Sequence, residues 1–242
     1  MKGFLLLCGL LAALPSFARA EGTAIAPDAR VAMRDGFAAF TNGQFQAAAD
    51  AFDIAAQHAA AIERDPSVAH FNKGLALYRA SQWDAAVEAF QAARQTRDLN
   101  RQALALYNAA LCRLRQIDAA FAAKEGKQLE RHFTEALDFL DQSLLLSPNN
   151  PDARHNLELT LRRLRALQAA AGELGVVVQT AEGLVGRHQF PEAFQLLEKA
   201  QTRLAPALLL PRPEAKTFEQ LREKSGQIAQ ILEAAPTAPD PK

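Results

Sequence analysis

The 242-residue chain carries 27 basic and 27 acidic side chains, so its formal charge is zero and no strong field attracts a highly charged partner. It lacks the basic excess with which proteins neutralise the phosphates of nucleic acids, and no nucleic-acid partner is expected. Alanine occurs 51 times, against 13 for valine and isoleucine together. Because alanine favours helices and β-branched residues favour strands, we expect an all-α protein.

The first twenty residues have the three parts of a secretory signal peptide. Lys2 is the basic start, an apolar run follows at 4–14, and Ala18 and Ala20 are small residues at the positions that a signal peptidase reads. We therefore predict export through the Sec pathway, cleavage after Ala20, and a periplasmic rather than a secreted protein. A lipid anchor on Cys8 is the alternative, although a large residue precedes it. No later segment has the length and apolarity of a transmembrane helix.

A four-residue pattern recurs four times after this leader. An aromatic residue is followed after three places by Ala, after four more by Phe or Leu, and after three more by Ala or Ser. These steps keep all four side chains on one face of an α-helix, where the small alanine lets a neighbouring helix approach closely. The copies are Phe45, Ala48, Phe52 and Ala55; Trp83, Ala86, Phe90 and Ala93; Phe133, Ala136, Leu140 and Ser143; and Phe190, Ala193, Leu197 and Ala200.

A small residue lies twelve places before the central alanine in three of the copies. These residues are Gly36, Gly74 and Ala181. Turn-forming residues at 41–43 and 80–82 separate the first two glycines from the aromatic residue that follows. Each unit is therefore predicted to be a helix, a tight turn and a second helix, with the small residue where the two helices touch.

This order of small, aromatic and alanine positions resembles the tetratricopeptide repeat (TPR) family, whose unit has about 34 residues. The second copy matches best, and the third ends in Pro148-Asn149-Asn150, like many TPR units. The resemblance covers residues 28–165 and is weaker at 173–207. It implies a TPR-like α-solenoid of antiparallel helix pairs, with an irregular helical bundle as the alternative.

The third unit departs from the family pattern in length. Ala110 and Ala136 are 26 residues apart, where the other units have 12, so the excess is 14. Seven extra residues in each helix add about two full turns and leave both apolar faces unrotated. We predict an elongated hairpin that protrudes from the array, with its tip near 124–126. A flexible loop is the alternative.

The remaining third of the chain is predicted to be helical as well. Residues 151–171 form one helix that Asn150 caps and Gly172 ends. Residues 166–234 then hold a divergent TPR-like pair and a capping helix at 214–233, since solenoids need a polar cover at their ends. Residues 235–242 are predicted to be a disordered tail.

The sequence shows no pattern that carries chemistry. The five histidines lack the paired spacing of metal ligands on a helix, and no phosphate loop or nucleophile elbow is present. We predict that the protein is not an enzyme and needs no metal or cofactor. Cys112 is predicted to be a small core residue rather than a reactive thiol.

The resemblance implies a concave groove, lined by the first helix of each unit, where TPR proteins bind other proteins or peptides. Its mostly apolar lining would bury a partner's apolar side chains, with Arg79 and Arg115 placed to meet a carboxylate. The alternative is that neighbouring helices of this chain cover some of these residues. The predicted lining is Phe37, Phe40, Phe71, Leu75, Tyr78, Arg79, Tyr107, Leu111, Leu114 and Arg115.

The carboxylate clamp of some TPR domains is not predicted. Asn72 and Asn108 match one asparagine of that clamp, but Met33, Phe37 and Leu104 replace its other polar residues. A basic stretch at Arg154, Arg162, Arg163 and Arg165 is a solvated helix face or, alternatively, a site for an acidic partner.

The run at 148–158 resembles the TPR proteins of bacterial Bat (aerotolerance) operons. Those proteins are associated with membrane proteins that bear von Willebrand A domains. The resemblance implies an exported scaffold or adaptor in a cell-envelope complex. Three alternatives remain open: an outer-membrane or peptidoglycan assembly factor, an accessory enzyme whose site the sequence does not show, and a self-assembling array.

Overall fold

The computed structural model describes residues 27–234, which contain nine α-helices and no β-strand. The predicted all-α fold of antiparallel helix pairs is confirmed. The predicted signal peptide and the predicted tail at 235–242 lie outside the described residues. The helices are α1 (Pro27–Thr41), α2 (Phe45–Ala61), α3 (Ser67–Arg79), α4 (Trp83–Ala93), α5 (Leu99–Ala123), α6 (Leu129–Leu146), α7 (Pro151–Gly186), α8 (Phe190–Leu208) and α9 (Pro213–Ala234).

The helices form two compact units, and the division falls inside α5. The first unit contains the described residues up to Cys112 together with Leu145–Pro148. The second contains Arg113–Leu144 and the described residues from Asn149 onward.

The first unit repeats one helix-crossing contact. A Cβ atom on Gly36 would lie 2.6 Å from the ring of Phe52, and one on Gly74 would lie 2.6 Å from the ring of Phe90. Both rings are only 1% exposed. Because each glycine lacks a side chain, the phenylalanine of the second helix can lie against the backbone of the first. The predicted role of the small residue is confirmed in both pairs.

One turn geometry joins the helices of the first, second and fourth copies. The residue at the turn has a positive φ in each, at Gly43 (75°), Ser81 (61°) and His188 (62°). A glutamine follows, and its backbone N–H closes the turn by donating to a carbonyl oxygen five residues earlier. The donors are Gln44, Gln82 and Gln189, and the acceptors are Ala39, Leu77 and Leu184, each at 2.9 Å.

The second unit has its own core. Helix α8 packs on α7, and α9 packs on both, which places α9 as the predicted cover of the last pair. The pattern residues face inward here too. Fully buried side chains from α6 to α9 include Phe133, Ala136, Leu140, Leu174, Ala193, Leu197, Leu204 and Phe218.

The long hairpin is present, but its tip does not protrude. Helix α5 ends at Ala123 and α6 begins at Leu129, so the predicted tip is correct. Gly126 is buried, and a side chain there would collide with the backbone of Leu209 in the α8–α9 connection. Arg212 and Glu130 form an ion pair of 2.5 Å at the same contact. The prediction of a protruding tip is wrong because a glycine lets another segment lie directly on the turn.

Helix α7 continues beyond its predicted end. It runs without a break through Gly172 to Gly186, so no separate helix begins near 174. A helical glycine costs about 1 kcal/mol relative to alanine, which burial of Leu174 and Ala181 offsets. The predicted cap is confirmed, since Asn150 Oδ1 accepts hydrogen bonds from the backbone N–H groups of Asp152 and Ala153 at 3.1 and 3.0 Å.

Candidate partner-binding surface

Three residues of the predicted groove lining belong to the core. Phe71, Leu75 and Leu114 are 5%, 6% and 7% exposed. The ring of Phe71 packs edge-on against Phe90, with the ring centroids 5.4 Å apart. These side chains stabilise the helix packing and offer a partner almost no surface. They agree with the alternative that neighbouring helices of this chain cover part of the predicted lining.

The other seven predicted residues are at least partly exposed. Arg115 is half-buried and lies in the second unit. The remaining six lie in the first unit, on the first helix of three consecutive pairs. We call these six the aromatic surface. They are Phe37, Phe40, Tyr78, Tyr107 and Leu111, all half-buried, and the exposed Arg79.

Arg79 connects two helix pairs within the aromatic surface. Its guanidinium carbon lies 5.9 Å from the ring centroid of Phe40 and 5.1 Å from that of Phe45. The two rings meet edge-to-face with centroids 5.4 Å apart. Such contacts hold a guanidinium over the negative faces of the rings. Sequence reasoning placed Phe45 only in the packing pattern, whereas the structure leaves its ring half-buried beside Arg79.

A partly buried polar network missed by sequence reasoning joins the α2–α3 loop to the α4–α5 loop. Asp65 accepts hydrogen bonds from the Thr96 hydroxyl at 2.6 Å and the Ser67 backbone N–H at 2.8 Å, and Arg101 lies 3.2 Å away. Burial raises the pKa of Asp65, but these donors outweigh it and the pKa is lowered. An open polar cavity of about 730 Å³ lies beside the network, lined by Asp65, 94–98, Arg101 and Gln102.

A second polar contact joins α2 to α3. Lys73 Nζ lies 2.6 Å from Asp53 Oδ1, and this hydrogen bond lowers the pKa of Asp53 despite partial burial. His70 is nearby, and burial together with the Lys73 charge lowers its pKa. This ion pair links the first helix pair to the second within the first unit.

The second unit contains a cation–aromatic contact similar to that of Arg79. The Arg163 guanidinium carbon lies 5.8 Å from the ring centroids of Phe121 and Phe133. Arg163 also pairs with Asp118 at 2.8 Å, so it is part of the fold. Of the predicted basic stretch, Arg154, Arg162 and Arg165 are exposed.

Cys112 is fully buried, which agrees with its predicted role as a small core residue. Across the described residues, no cluster of three or more His, Cys, Asp or Glu side chains could hold a metal ion. Over the same range, no helix is long and apolar enough to cross a bilayer.

Comparison with protein-family models gives no match, and comparison with curated proteins gives no significant match. The function is therefore inferred from the aromatic surface and its surroundings.

Proposed function

We propose that the protein is a non-catalytic scaffold of the tetratricopeptide type that binds a segment of another protein on its aromatic surface. The observation that carries this proposal is the partial exposure of Phe37, Phe40, Tyr78 and Tyr107 on the first helices of consecutive pairs. Aromatic side chains supply much of the binding energy at protein interfaces, because they bury a large area and lose little conformational entropy.

Ring contacts behind the aromatic surface fix the positions of its side chains before a partner binds. The ring of Phe37 meets that of Phe52 edge-to-face at 5.2 Å, and Phe52 is part of the core. Phe40 is held in the same way by Phe45. Side chains that are already fixed in the free protein add affinity, since ordering them costs little when the partner binds.

The proposed setting is the periplasm, within a cell-envelope complex. Two sequence features support it: the signal-like first twenty residues, and the run at 148–158 that resembles Bat-operon proteins. The partner that this resemblance favours is a membrane protein with a von Willebrand A domain.

Affinity capture with a surface variant tests the proposal. The full chain and its Tyr78→Ala/Tyr107→Ala variant serve as baits for the envelope fraction, and mass spectrometry quantifies the captured proteins. We expect the variant to lose at least one protein that the unmodified bait captures. The matched control is Ile54→Ala/Ile62→Ala, which removes two exposed apolar side chains from α2 and its C-terminal end (48% and 44% exposed) and should retain that protein.

Circular dichroism of both variants must equal that of the unmodified chain. Equal capture by all three baits would contradict binding on the aromatic surface. Calorimetry with the isolated von Willebrand A domain then tests the partner separately, and absence of binding there would reject that partner while leaving the surface in place.

A further inference from the structure

Arg79 and Arg163 have nearly the same aromatic surroundings. Each guanidinium lies over two phenylalanine rings, at 5.9 and 5.1 Å for Arg79 and at 5.8 Å from both rings for Arg163. In each case one ring belongs to the first helix of a pair and the other to the second helix. A guanidinium attracted to aromatic rings in this way keeps its N–H groups as donors for an acceptor.

The two sites differ in the acceptor. Asp118 supplies a carboxylate to Arg163 at 2.8 Å. No aspartate or glutamate within residues 28–234 forms an ion pair with Arg79, and no hydrogen bond of its guanidinium to a described residue is present.

The chain elsewhere supplies a carboxylate to arginines that are held in place. Arg101, Arg113 and Arg222 each form an ion pair, with Asp65, Glu135 and Glu198 respectively. Arg79 is thus a cation held beside two rings, and no carboxylate of the described residues pairs with it. It lies on the surface that is proposed to bind a partner.

We infer that Arg79 receives a carboxylate from the partner, and that the partner segment presents an aspartate or glutamate side chain beside an apolar residue. The inference rests on the proposed function and specifies the chemistry of its ligand. The acidic side chain of the partner would pair with Arg79 as Asp118 pairs with Arg163. Each arginine would then contact two phenylalanine rings and one carboxylate. Charge-assisted bonds from a planar guanidinium to a carboxylate are strong and directional.

A side-chain carboxylate fits better than a chain terminus. Clamps for a terminal carboxylate use several polar donors, whereas Asn72 is only 4% exposed and the Asn108 amide donates to the Leu104 carbonyl oxygen at 2.8 Å. Asn72 is therefore almost inaccessible to a ligand, and Asn108 already uses its amide within its own helix, which favours a single guanidinium for a single carboxylate.

Selection from a random-peptide display library tests the inference and does not require an identified partner. The baits are the full chain, Arg79→Gln, and the control Arg64→Gln, which removes another exposed arginine of the first unit. The displayed peptides have no free C-terminus. We expect the full chain and Arg64→Gln to enrich peptides with an acidic residue next to an apolar one. Arg79→Gln should keep the apolar preference and lose the acidic one.

Affinity measurements on the best peptide make the test quantitative. Replacing its acidic residue by the corresponding amide should weaken binding to the unmodified chain about tenfold, and should not weaken binding to Arg79→Gln further. Phe45→Leu should reduce the acidic preference in part, since one of the two rings that hold Arg79 is removed. Circular dichroism and thermal melting verify that each variant is folded.

The outcomes separate this inference from the proposed function. Retention of the acidic preference by Arg79→Gln, or enrichment of peptides without acids by the full chain, would overturn the inference and leave peptide binding intact. Enrichment only from a second library with free C-termini would show that a terminal carboxylate is the ligand and would also overturn it. No enrichment with any bait would contradict both proposals.

Discussion

At the scale of single residues, the short distance to the opposing phenylalanine ring explains why a helix crossing needs a small residue. Gly36 and Gly74 sit where a Cβ atom would enter a buried phenylalanine ring, whereas nothing lies within 4 Å of a Cβ atom built on Gly172. Glycine is therefore needed for helix packing at positions 36 and 74, whereas at position 172 it only lowers the helix propensity.

Exchange of these glycines for alanine tests that difference. Gly74→Ala should destabilise the protein by about 1–2 kcal/mol, because the overpacking against Phe90 exceeds the gain in helix propensity. Gly172→Ala should stabilise it by roughly 0.5–1 kcal/mol, since only propensity changes. Chemical denaturation followed by circular dichroism measures both. A Gly74→Ala variant as stable as the unmodified chain would contradict the close crossing.

The turn between α3 and α4 holds a residue other than glycine in a left-handed conformation. Ser81 has a φ of 61°, where the first pair has Gly43. Ser81→Gly should therefore raise stability, by an amount on the order of 0.5–1 kcal/mol after the entropy cost of glycine is included. The converse change, Gly43→Ala, should lower stability. Thermal melting of both variants checks this, and equal shifts of the same sign would refute the shared turn geometry.

The ion pair between Asp53 and Lys73 predicts a pH dependence. The hydrogen bond from Lys73 lowers the native pKa of Asp53 below its usual value of 3.8, so the folded protein binds this proton less readily than the unfolded chain. The stabilisation is therefore present above that value and is lost as the pH falls through the native pKa. Between about pH 5 and pH 3, stability of the unmodified chain should fall more steeply than that of Asp53→Asn.

Lys73→Gln should also make stability fall less steeply between these pH values. The double variant Asp53→Asn/Lys73→Gln should show the same slope as either single variant. Urea denaturation at several pH values measures the effect. Identical slopes for the unmodified chain and Asp53→Asn would show that the ion pair does not contribute to stability.

The sequence predicted individual contacts better than it predicted exposure. Offsets along the helix placed Ala48, Phe52, Gly74 and Phe90 correctly, because close packing of two helices restricts side-chain size at each crossing. The same offsets placed Phe71 in a groove although it is buried. Periodicity gives the face of a helix but does not tell which neighbouring helices cover that face.

At the scale of elements, helix pairs and turns followed from local patterns, and the long helix did not. Aromatic, alanine and turn residues gave the pairs α1–α2 and α3–α4, and the extra 14 residues gave the long α5–α6 hairpin. The local pattern predicts that a helix ends at Gly172, yet α7 continues to Gly186. Buried apolar residues after Gly172 stabilise the continuation, which is a tertiary effect that a local rule for helix ends does not contain.

The contact at the hairpin tip predicts how a change in one turn affects distant helices. Gly126→Ala should separate the tip from the α8–α9 connection, because a side chain there would overlap the Leu209 backbone. Hydrogen exchange should then become faster in α8 and α9 and stay unchanged in α1 and α2. Lys127→Ala, at the exposed next position, is the control. Unchanged exchange in α8 and α9 would show that the tip is not docked.

At the scale of the whole molecule, helix pairs built on one recurring contact present aromatic side chains from successive first helices. The fold class could be predicted because the pattern occurs four times and every copy indicates the same unit of two packed helices. Membership of the tetratricopeptide family and the location in the cell envelope stay predictions. Three of the ten residues predicted to line the candidate surface are buried instead, and Phe45, which lies beside Arg79, was not among the ten.

Site-specific photocrosslinking in intact cells tests the central claim, that the aromatic surface binds another protein, most directly. A photoreactive amino acid replaces Tyr107 on that surface or, as the control, Ile54 on the exposed face of α2. We predict a discrete crosslinked product with another protein from position 107 and none from position 54. A product from position 54 alone, or no product from position 107, would contradict binding on the aromatic surface.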